Sequence, residues 1–235
     1  YKMKNNLNQK LINLIEYYNL INANLVISNT PLKRTVENTT FNFTGTKIEK
    51  LNKLKKKIQS IKNCDLKKYA KNIVFGDGNI NSQIMIIGEG PGANEDAIGK
   101  PFIGRAGKLL DKMLLAINLD RNKVYISNVV NYRPPENRKP TDIEIQRYLP
   151  YLLNHIEIIK PKILLLLGST SLNALIGNEE VISKARGKWF QKNLGNAKVS
   201  VIASFHPAFL MRQPEQKKLA WIDLKMIRDK LKNLK

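Results

Sequence analysis

Hydrophobic and polar positions follow two alternating patterns from Phe75 to the end of the chain. Short apolar runs, each followed by glycine or polar residues, are typical of buried strands and lie at 83–88, 124–130, 162–167 and 199–203. Apolar residues that recur at helical spacing predict helices at 106–117, 141–159, 169–176 and 215–231. Strands that alternate with helices predict an α/β fold, a three-layer α/β/α sandwich with a short central parallel sheet.

Residues 1–63 have a different composition and are interpreted as a basic helical N-terminal extension that precedes an α/β domain at 64–235. They contain 12 Lys and Arg but only 3 Asp and Glu. Apolar spacing predicts an amphipathic helix at 6–20 and a lysine-rich helix at 48–58. The polar stretch 27–46 between them predicts a linker or loose arm. A solvated face explains the lysines of the second helix more simply than a DNA-binding surface does.

The net charge gives the first indication of function. The 235 residues include 40 Lys and Arg against 19 Asp and Glu, a formal net charge of +21. So large a positive charge favours a polyanionic partner such as nucleic acid, although the abundance of Lys, Asn and Ile is also what an AT-rich genome would produce. No apolar run approaches the ~20 residues of a membrane helix, so we expect neither membrane association nor a signal peptide.

Cys64 is the only cysteine of the chain. An intrachain disulfide and a metal site built from several cysteines are therefore excluded. Because secretion would leave this thiol unpaired, a reducing compartment is favoured, and we expect a cytoplasmic protein.

The predicted topology also predicts where a ligand binds, since ligands of parallel α/β sheets bind beyond the carboxyl ends of the strands. The first loop at that edge, Gly88-Glu-Gly-Pro-Gly-Ala-Asn-Glu-Asp96, holds the carboxylates of Glu89 and Glu95, and its glycines let a ligand approach the backbone closely. Two alternative roles of this loop stay open. The acidic residues would stabilise the start of a helix, or the loop would bind phosphate, although it lacks the Gly-Lys-Ser/Thr ending of a P-loop and the spacing of a dinucleotide-binding motif.

Three more side chains in such loops suit a planar ligand. Phe102, in a glycine-rich loop, either stacks on the ligand or covers the core. Asn128 either reads a pyrimidine edge, because its amide donates and accepts at once, or caps a turn. His206 directly follows the last strand and precedes a proline, so it is a rigidly placed acid or donor, whereas His155 lies within a helix and is interpreted as structural.

Four motifs now stand in order: Gly88-Glu-Gly-Pro-Gly-x-x-Glu-Asp96, Gly99-x-Pro-Phe-x-Gly-Arg-Ala-Gly107, Asn128-Val-Val…Arg133-Pro-Pro-x-Asn-Arg138 and Phe205-His-Pro-Ala-Phe-Leu210. With them the chain, from about Asn72 to Leu231, resembles the family 4 uracil-DNA glycosylases. The resemblance implies a three-layer α/β/α domain that removes uracil from DNA and begins base-excision repair after cytosine deamination. The segment 1–63 is not covered by these motifs.

The resemblance also implies roles for individual residues. Glu89 and Gly90 match the motif that holds the base and the attacking water, and Glu95 matches a second acidic position that supports catalysis. His206 matches the histidine that stabilises the uracil anion.

Three further positions match residues that bind the substrate. Phe102 matches the aromatic ring that stacks on the flipped uracil, and Asn128 matches the amide that reads the uracil edge. Leu210 lies where the family inserts a side chain into the gap that flipping leaves in the DNA.

The sequence departs from the family at the iron–sulfur cluster, which typical members bind through four cysteines. Here Cys64 occupies the first of those positions, and Lys67, Tyr132 and Tyr148 occupy the others. Since one thiol does not hold a four-iron cluster, we expect no cluster, no other metal and no cofactor.

We therefore expect a monomeric, monofunctional DNA glycosylase that hydrolyses the N-glycosidic bond of uracil in single- or double-stranded DNA. Two alternatives stay open. One is a glycosylase of broader specificity that also acts on other deaminated bases such as hypoxanthine or xanthine. The other is a DNA-binding homologue without catalytic activity, which the joint presence of Glu89, Phe102, Asn128 and His206 disfavours. A nucleotide-binding oxidoreductase is disfavoured by the missing dinucleotide motif.

Overall fold

The computed structural model describes residues 41–177 and 180–234. Its helices are α1 (Lys47–Gln59), α2 (Asp65–Tyr69), α3 (Ala93–Ile98), α4 (Arg105–Leu115), α5 (Asp142–Ile159), α6 (Ser169–Leu175), α7 (Ile182–Ala185), α8 (Pro207–Arg212) and α9 (Lys217–Lys232). Its strands are β1 (Asp77–Gly78), β2 (Ile84–Gly88), β3 (Tyr125–Asn128), β4 (Ile163–Leu167), β5 (Trp189–Leu194) and β6 (Ala197–Ser204). Short 3-10 turns lie at Pro135–Asn137 and Pro214–Gln216.

The strands form one sheet in the order β1-β3-β2-β4-β6-β5. The four inner strands, β3, β2, β4 and β6, are parallel, and the two edge strands are antiparallel to their neighbours. The carboxyl ends of the four parallel strands consequently meet at one edge, as predicted. That edge carries the loops that follow Gly88, Asn128, Leu167 and Ser204.

Helices cover both faces of the sheet, because the inner strands are apolar on both sides. In β2, Met85 and Ile87 pack into the core on one face, while Ile84 and Ile86 pack into the core on the other. The first face is covered by α1, α5 and α6, and the second by α4, α8 and α9. The predicted three-layer α/β/α sandwich is confirmed, with α5 starting at the predicted capping box of Thr141 and Glu144.

The edge strands were not predicted from the sequence, and each has a physical reason for being overlooked. β1 has only two residues, too few for any pattern. β5 alternates partly buried and exposed positions and includes Gln191, Lys192 and Asn193, so no apolar run marks it. Both strands pair antiparallel with an inner strand, which makes the sheet mixed rather than purely parallel.

The lysine-rich helix α1 packs on the α/β domain through its inner face. Leu51, Leu54 and Ile58 are buried on its inner face and join the core that contains α5. Lys53, Lys55, Lys56 and Lys57 are exposed, in agreement with a solvated surface. The helix predicted at 6–20 and most of the linker lie outside the described residues, so a division of the whole chain into two parts stays a prediction.

Among the described residues, no helix combines the length and the apolar character needed to cross a bilayer.

Candidate active site

A cavity of about 690 Å³ opens at the carboxyl edge of the sheet, between the loops that follow β2, β3, β4 and β6. Six of the seven residues predicted for the site line it: Glu89, Gly90, Glu95, Phe102, Asn128 and His206. The parallel topology explains this convergence, since these residues are up to 117 positions apart in sequence but follow neighbouring strands.

Asn128, the last residue of β3, provides the clearest sign of a ligand. Its side chain is only 2% exposed, and its Oδ1 has no hydrogen-bond partner in the described part of the chain. A buried carbonyl oxygen without a partner costs about 1–3 kcal/mol, so native proteins rarely leave one without a function. The amide therefore has hydrogen-bonding capacity that no described residue uses, and it borders the cavity.

The Phe102 ring and the Asn128 amide meet above Gly88. A Cβ atom added at Gly88 would lie 2.5 Å from Asn128 Oδ1 and 2.5 Å from Phe102 Cζ. Glycine at this position therefore lets both side chains approach the strand backbone. Phe102 packs in the core and also borders the cavity, so it covers the core, and its stacking on a ligand stays a prediction.

Glu95 holds the loop that carries Phe102. Its Oε1 accepts hydrogen bonds from the backbone N–H of Ile103 at 2.9 Å and of Gly104 at 2.8 Å. Phe102 itself has a φ of 53°, in the left-handed region that non-glycine residues seldom adopt. A conformation of this kind persists only where its surroundings enforce it, and the Glu95 carboxylate is one such constraint.

Arg121 is the second constraint on this loop, and sequence reasoning missed it. Its guanidinium donates to the carbonyl oxygen of Pro101 at 3.1 Å and to that of Phe102. Ion pairs with Asp77 at 3.2 Å and Asp111 at 2.9 Å hold the guanidinium in place. The loop around Phe102 is thus bound by a carboxylate through its N–H groups and by a guanidinium through its carbonyls. An arginine that precedes a strand gives no sequence signal for such a role.

Glu89 follows β2 directly and is half-buried beside the cavity. The hydroxyl of Thr170, in the first turn of α6, donates a hydrogen bond to Glu89 Oε2. The neighbouring Gly90 has no space for a side chain, because a Cβ atom there would lie 2.8 Å from Val130 Cγ2. The carboxylate is thereby fixed on a loop that stays close to the cavity.

His206 faces the same cavity from the end of β6. Its Nδ1 accepts a hydrogen bond from the Ala208 N–H at 3.1 Å, which assigns the proton to Nε2 in the neutral ring. Burial, with a smaller contribution from Arg212, lowers the pKa of His206 to about 4, against an opposing effect of Glu95. At neutral pH the imidazole is therefore uncharged and presents a single N–H donor. Its ring centroid lies 5.6 Å from that of Phe102.

Known proteins are similar to this sequence over most of its length. Residues 75–225 match the family model of the uracil DNA glycosylase superfamily. The chain belongs to this superfamily. A type-4 uracil-DNA glycosylase of Pyrobaculum aerophilum is 41% identical over 168 residues, which cover 68% of this chain and 86% of that protein.

Two further relatives are uracil-DNA glycosylases, one of type 4 and a more distant one of type 5. A type-4 enzyme of Thermotoga maritima is 44% identical over 153 residues, 63% of this chain and 77% of that protein. A type-5 uracil-DNA glycosylase of Pyrobaculum aerophilum is 26% identical over 147 residues, 56% of this chain and 63% of that protein. The resemblance drawn from the four motifs is therefore confirmed.

Leu210 is the one predicted site residue of this glycosylase that the structure does not bring to the cavity. It is 1% exposed and packs in the core between the sheet and helices α4 and α9. Its insertion into DNA stays a prediction, and the side chain would first have to leave the core. Phe209, one position earlier, lines the cavity and is only partly buried.

The rim of the cavity is basic, a feature that sequence reasoning did not assign to particular residues. Arg138, Lys139 and Arg212 line it. Arg138 forms an ion pair with Glu144 at 2.7 Å, whereas Arg212 has no ion pair in the described part of the chain. Cations at the mouth of a cavity suit the phosphates on either side of an extruded nucleotide.

The positions that correspond to the cluster ligands of this family lie on the side of the sheet that helix α5 covers. The Cys64 Sγ atom lies 3.2 Å from the hydroxyl oxygen of Tyr148, and both side chains are buried together with Tyr132. Lys67 donates to the carbonyl oxygen of Gln59. Phenols and an ammonium group do not replace the thiolates that bind iron, so these residues do not fit a four-iron cluster.

Proposed function

We propose that this chain is a uracil-DNA glycosylase that hydrolyses the N-glycosidic bond of uracil in DNA and leaves an abasic site for base-excision repair. The observation that supports this most directly is the unpartnered, buried Oδ1 of Asn128, placed beside the Phe102 ring in a cavity shared with Glu89 and His206. The similarity to type-4 uracil-DNA glycosylases agrees with this chemistry.

The base would be selected by the Asn128 amide. Uracil presents an N3–H donor next to the O4 acceptor, so Oδ1 accepts from N3 and Nδ2 donates to O4. Cytosine presents an acceptor and a donor in the reverse order, which leaves both amide atoms facing like groups. A buried polar group left without its partner rejects a wrong substrate by large factors. The Phe102 ring supplies a stacking surface for the base.

The bond between uracil N1 and deoxyribose C1′ would break with positive charge on the sugar and negative charge on the base. The neutral His206 donates its Nε2–H to uracil O2 and stabilises the departing anion. The Glu89 carboxylate stabilises the cationic sugar and orients the water that attacks C1′. Glu95 supports these steps through the Phe102 loop, to which it is hydrogen-bonded.

The target nucleotide has to leave the stack before it enters the cavity. Extrusion costs a few kcal/mol and less in a single strand or at a U·G mismatch, so both strand forms are proposed substrates. The basic rim formed by Arg138, Lys139 and Arg212 would bind the flanking phosphates. We further propose that the enzyme acts as a monomer and in the cytoplasm, where a prokaryotic cell holds its DNA, since the family suggests such a cell.

Excision of uracil from labelled oligonucleotides tests the proposal. Each oligonucleotide carries one U as a single strand, as U·A or as U·G, and alkali converts abasic sites into breaks. We expect breaks at U with the natural chain and a loss of about 10²–10⁴-fold with Glu89→Ala or His206→Ala. Tight binding without breaks would support the inactive homologue instead. Comparable breaks at hypoxanthine would support the broader specificity.

We also propose that this enzyme works without an iron–sulfur cluster. The proposal is supported by the single thiol and by its hydrogen bond with Tyr148. Iron and labile sulfide are measured on anaerobically purified protein, and stoichiometric iron would contradict the proposal. The variant Lys67→Cys/Tyr132→Cys/Tyr148→Cys provides the positive control, because it restores four thiols at these positions and is expected to take up iron and sulfide on reconstitution.

A further inference from the structure

The hydrogen bond between Thr170 and Glu89 links a residue outside the four motifs to the proposed catalytic carboxylate. Thr170 belongs to the first turn of α6, which follows β4, and Glu89 follows the adjacent strand β2. Its hydroxyl donates to Glu89 Oε2. We infer that Thr170 is a positioning residue for uracil excision and fixes the Glu89 carboxylate in the orientation that holds the attacking water.

Burial explains why a protein hydroxyl has this role. Thr170 is 5% exposed, so water does not readily replace its hydroxyl when the side chain is changed. A glutamate has three rotatable side-chain bonds and populates many orientations when it is free. A hydrogen bond to a carboxylate is among the stronger ones in proteins. Here it holds Oε2, and Oε1 makes no hydrogen bond to the residues that the structure describes.

The same turn of α6 also contacts His206, which makes it a spacer between the two proposed catalytic groups. Gly168 has a φ of 92°, and a Cβ atom added there would lie 3.1 Å from the His206 Cβ. The Gly168 N–H donates to the Ser204 carbonyl at 2.9 Å, two residues before His206. The turn therefore rests against the His206 loop at Gly168 and holds Glu89 at Thr170.

A single backbone turn therefore sets the distance between His206 and Glu89, which serve the two ends of the separated charge. His206 serves the uracil anion and Glu89 serves the cationic sugar, and both interactions have to be in place in one transition state. A displacement of about 1 Å in such an arrangement reduces rates by up to about 10²-fold. Removal of the Thr170 hydroxyl frees only Glu89, so we expect a smaller loss of the excision rate.

The test compares Thr170→Val, which keeps the shape of the side chain, with Thr170→Ser, which keeps the hydroxyl. This test rests on the proposed function. The excision rate is measured under single-turnover conditions, together with the Kd for uracil-containing DNA. We expect Thr170→Val to lower the excision rate about tenfold with an unchanged Kd, in keeping with the loss of one charge-assisted hydrogen bond. Thr170→Ser is expected to stay within about twofold of the natural chain.

Ser82→Ala is the matched control. Ser82 is also 5% exposed, and its hydroxyl donates to two backbone carbonyls, but it lies at the opposite, amino end of β2. We expect a lower Tm for this variant with an unchanged excision rate. An unchanged rate in Thr170→Val, or an equal loss of rate in Ser82→Ala, would overturn the inference.

A second readout separates failure of the inference from failure of the proposed function. The Tm is measured for Thr170→Val, for Glu89→Ala and for the double variant. If the two side chains interact as described, the two losses of Tm do not add. Strictly additive losses would overturn the inference even with full activity. An inactive natural chain with non-additive losses would contradict uracil excision and leave the contact between Thr170 and Glu89 confirmed.

Discussion

Two groups of buried polar side chains lie on this sheet, and they differ in how their hydrogen bonds are satisfied. Helix α5 buries Tyr148 and His155, and each has a partner: Tyr148 bonds with Cys64 at 3.2 Å, and His155 Nε2 bonds with the Tyr125 hydroxyl at 2.9 Å. At the carboxyl edge, Asn128 Oδ1 has no partner in the described chain, and no hydrogen bond is made there to His206 Nε2.

The difference distinguishes a structural polar group from one kept for a ligand. A polar group in a core is stable only with its own partner, which is what both side chains of α5 have. A group beside a cavity that lacks a partner is unfavourable until a ligand supplies one. Residue type does not make this distinction, since a histidine occurs in both places and burial lowers the pKa of both, to about 3 for His155 and about 4 for His206.

The largest expected effect is on the free energy of unfolding in acid, and it concerns both regions. Below pH 6.5 the unfolded chain binds protons that the folded His155 and His206 do not accept, so stability present above 6.5 is lost as the pH falls towards 4 and 3. We expect urea denaturation to report a loss of several kcal/mol between pH 7.5 and pH 4.5. His206→Asn should show a shallower loss, and an unchanged free energy of unfolding in the natural chain would contradict the described environments.

The next effect concerns base selection and sharpens the contrast between two asparagines. Asn128→Asp replaces the donor for uracil O4 with an acceptor, so we expect the single-turnover excision rate of uracil to fall about 100-fold and selection against cytosine to weaken. Asn131→Asp is the structural counterpart, because Asn131 donates to the Val74 carbonyl at 3.1 Å. It should lower the Tm without changing base selection. Full uracil activity in Asn128→Asp, with cytosine still ignored, would show that Asn128 does not read the base.

A smaller effect is expected for the support of the Phe102 loop. Arg121→Gln removes the ion pairs with Asp77 and Asp111 and weakens the hydrogen bonds to two loop carbonyls. Phe102 then relaxes from its left-handed backbone conformation and stacks less well on the base. We expect an increase in KM and about a tenfold loss in kcat/KM for excision. Lys123→Gln is the control, since that lysine is exposed and pairs with Asp120 and with the carbonyl oxygen of Asn118. Equal kinetics in both variants would contradict a role for Arg121.

The smallest effect is expected on the α5 side. Tyr148→Phe removes only the hydroxyl that bonds with Cys64, so the free energy of unfolding should fall by about 1 kcal/mol. The excision rate of the folded enzyme should stay unchanged, as measured by single-turnover assays beside urea denaturation. A clear loss of rate would show that this region takes part in the reaction, and the contrast between the two regions would fail.

The sequence predicted the elements that carry a strong local pattern, namely the four inner strands and the helices α1, α4, α5, α6 and α9. The site residues at strand ends followed from the topology, because a parallel sheet brings its carboxyl ends together. Short or half-exposed elements such as β1 and β5 gave no such pattern. Helix α1 also follows its predicted pattern, because its three inward apolar residues are the ones that pack in the core.

Residues that act through other residues were harder to predict. Arg121 and Thr170 hold other groups by hydrogen bonds across the fold, and their neighbours in sequence do not indicate this. Leu210 shows the reverse case, where a motif suggested a wedge and the packing of α8 buries it. Contacts between distant segments depend on backbone geometry, which a single sequence does not contain.

The unpartnered oxygen of Asn128 has a consequence for the end of the catalytic cycle. Free uracil keeps the N3–H and O4 edge that the base had in DNA, so the released product still satisfies the amide in the empty cavity. The oxygen without a partner costs the free enzyme about 1–3 kcal/mol, and this free energy is recovered when the product stays bound. Uracil is therefore expected to inhibit the enzyme in competition with DNA and to raise its Tm, whereas cytosine at the same concentration should do neither.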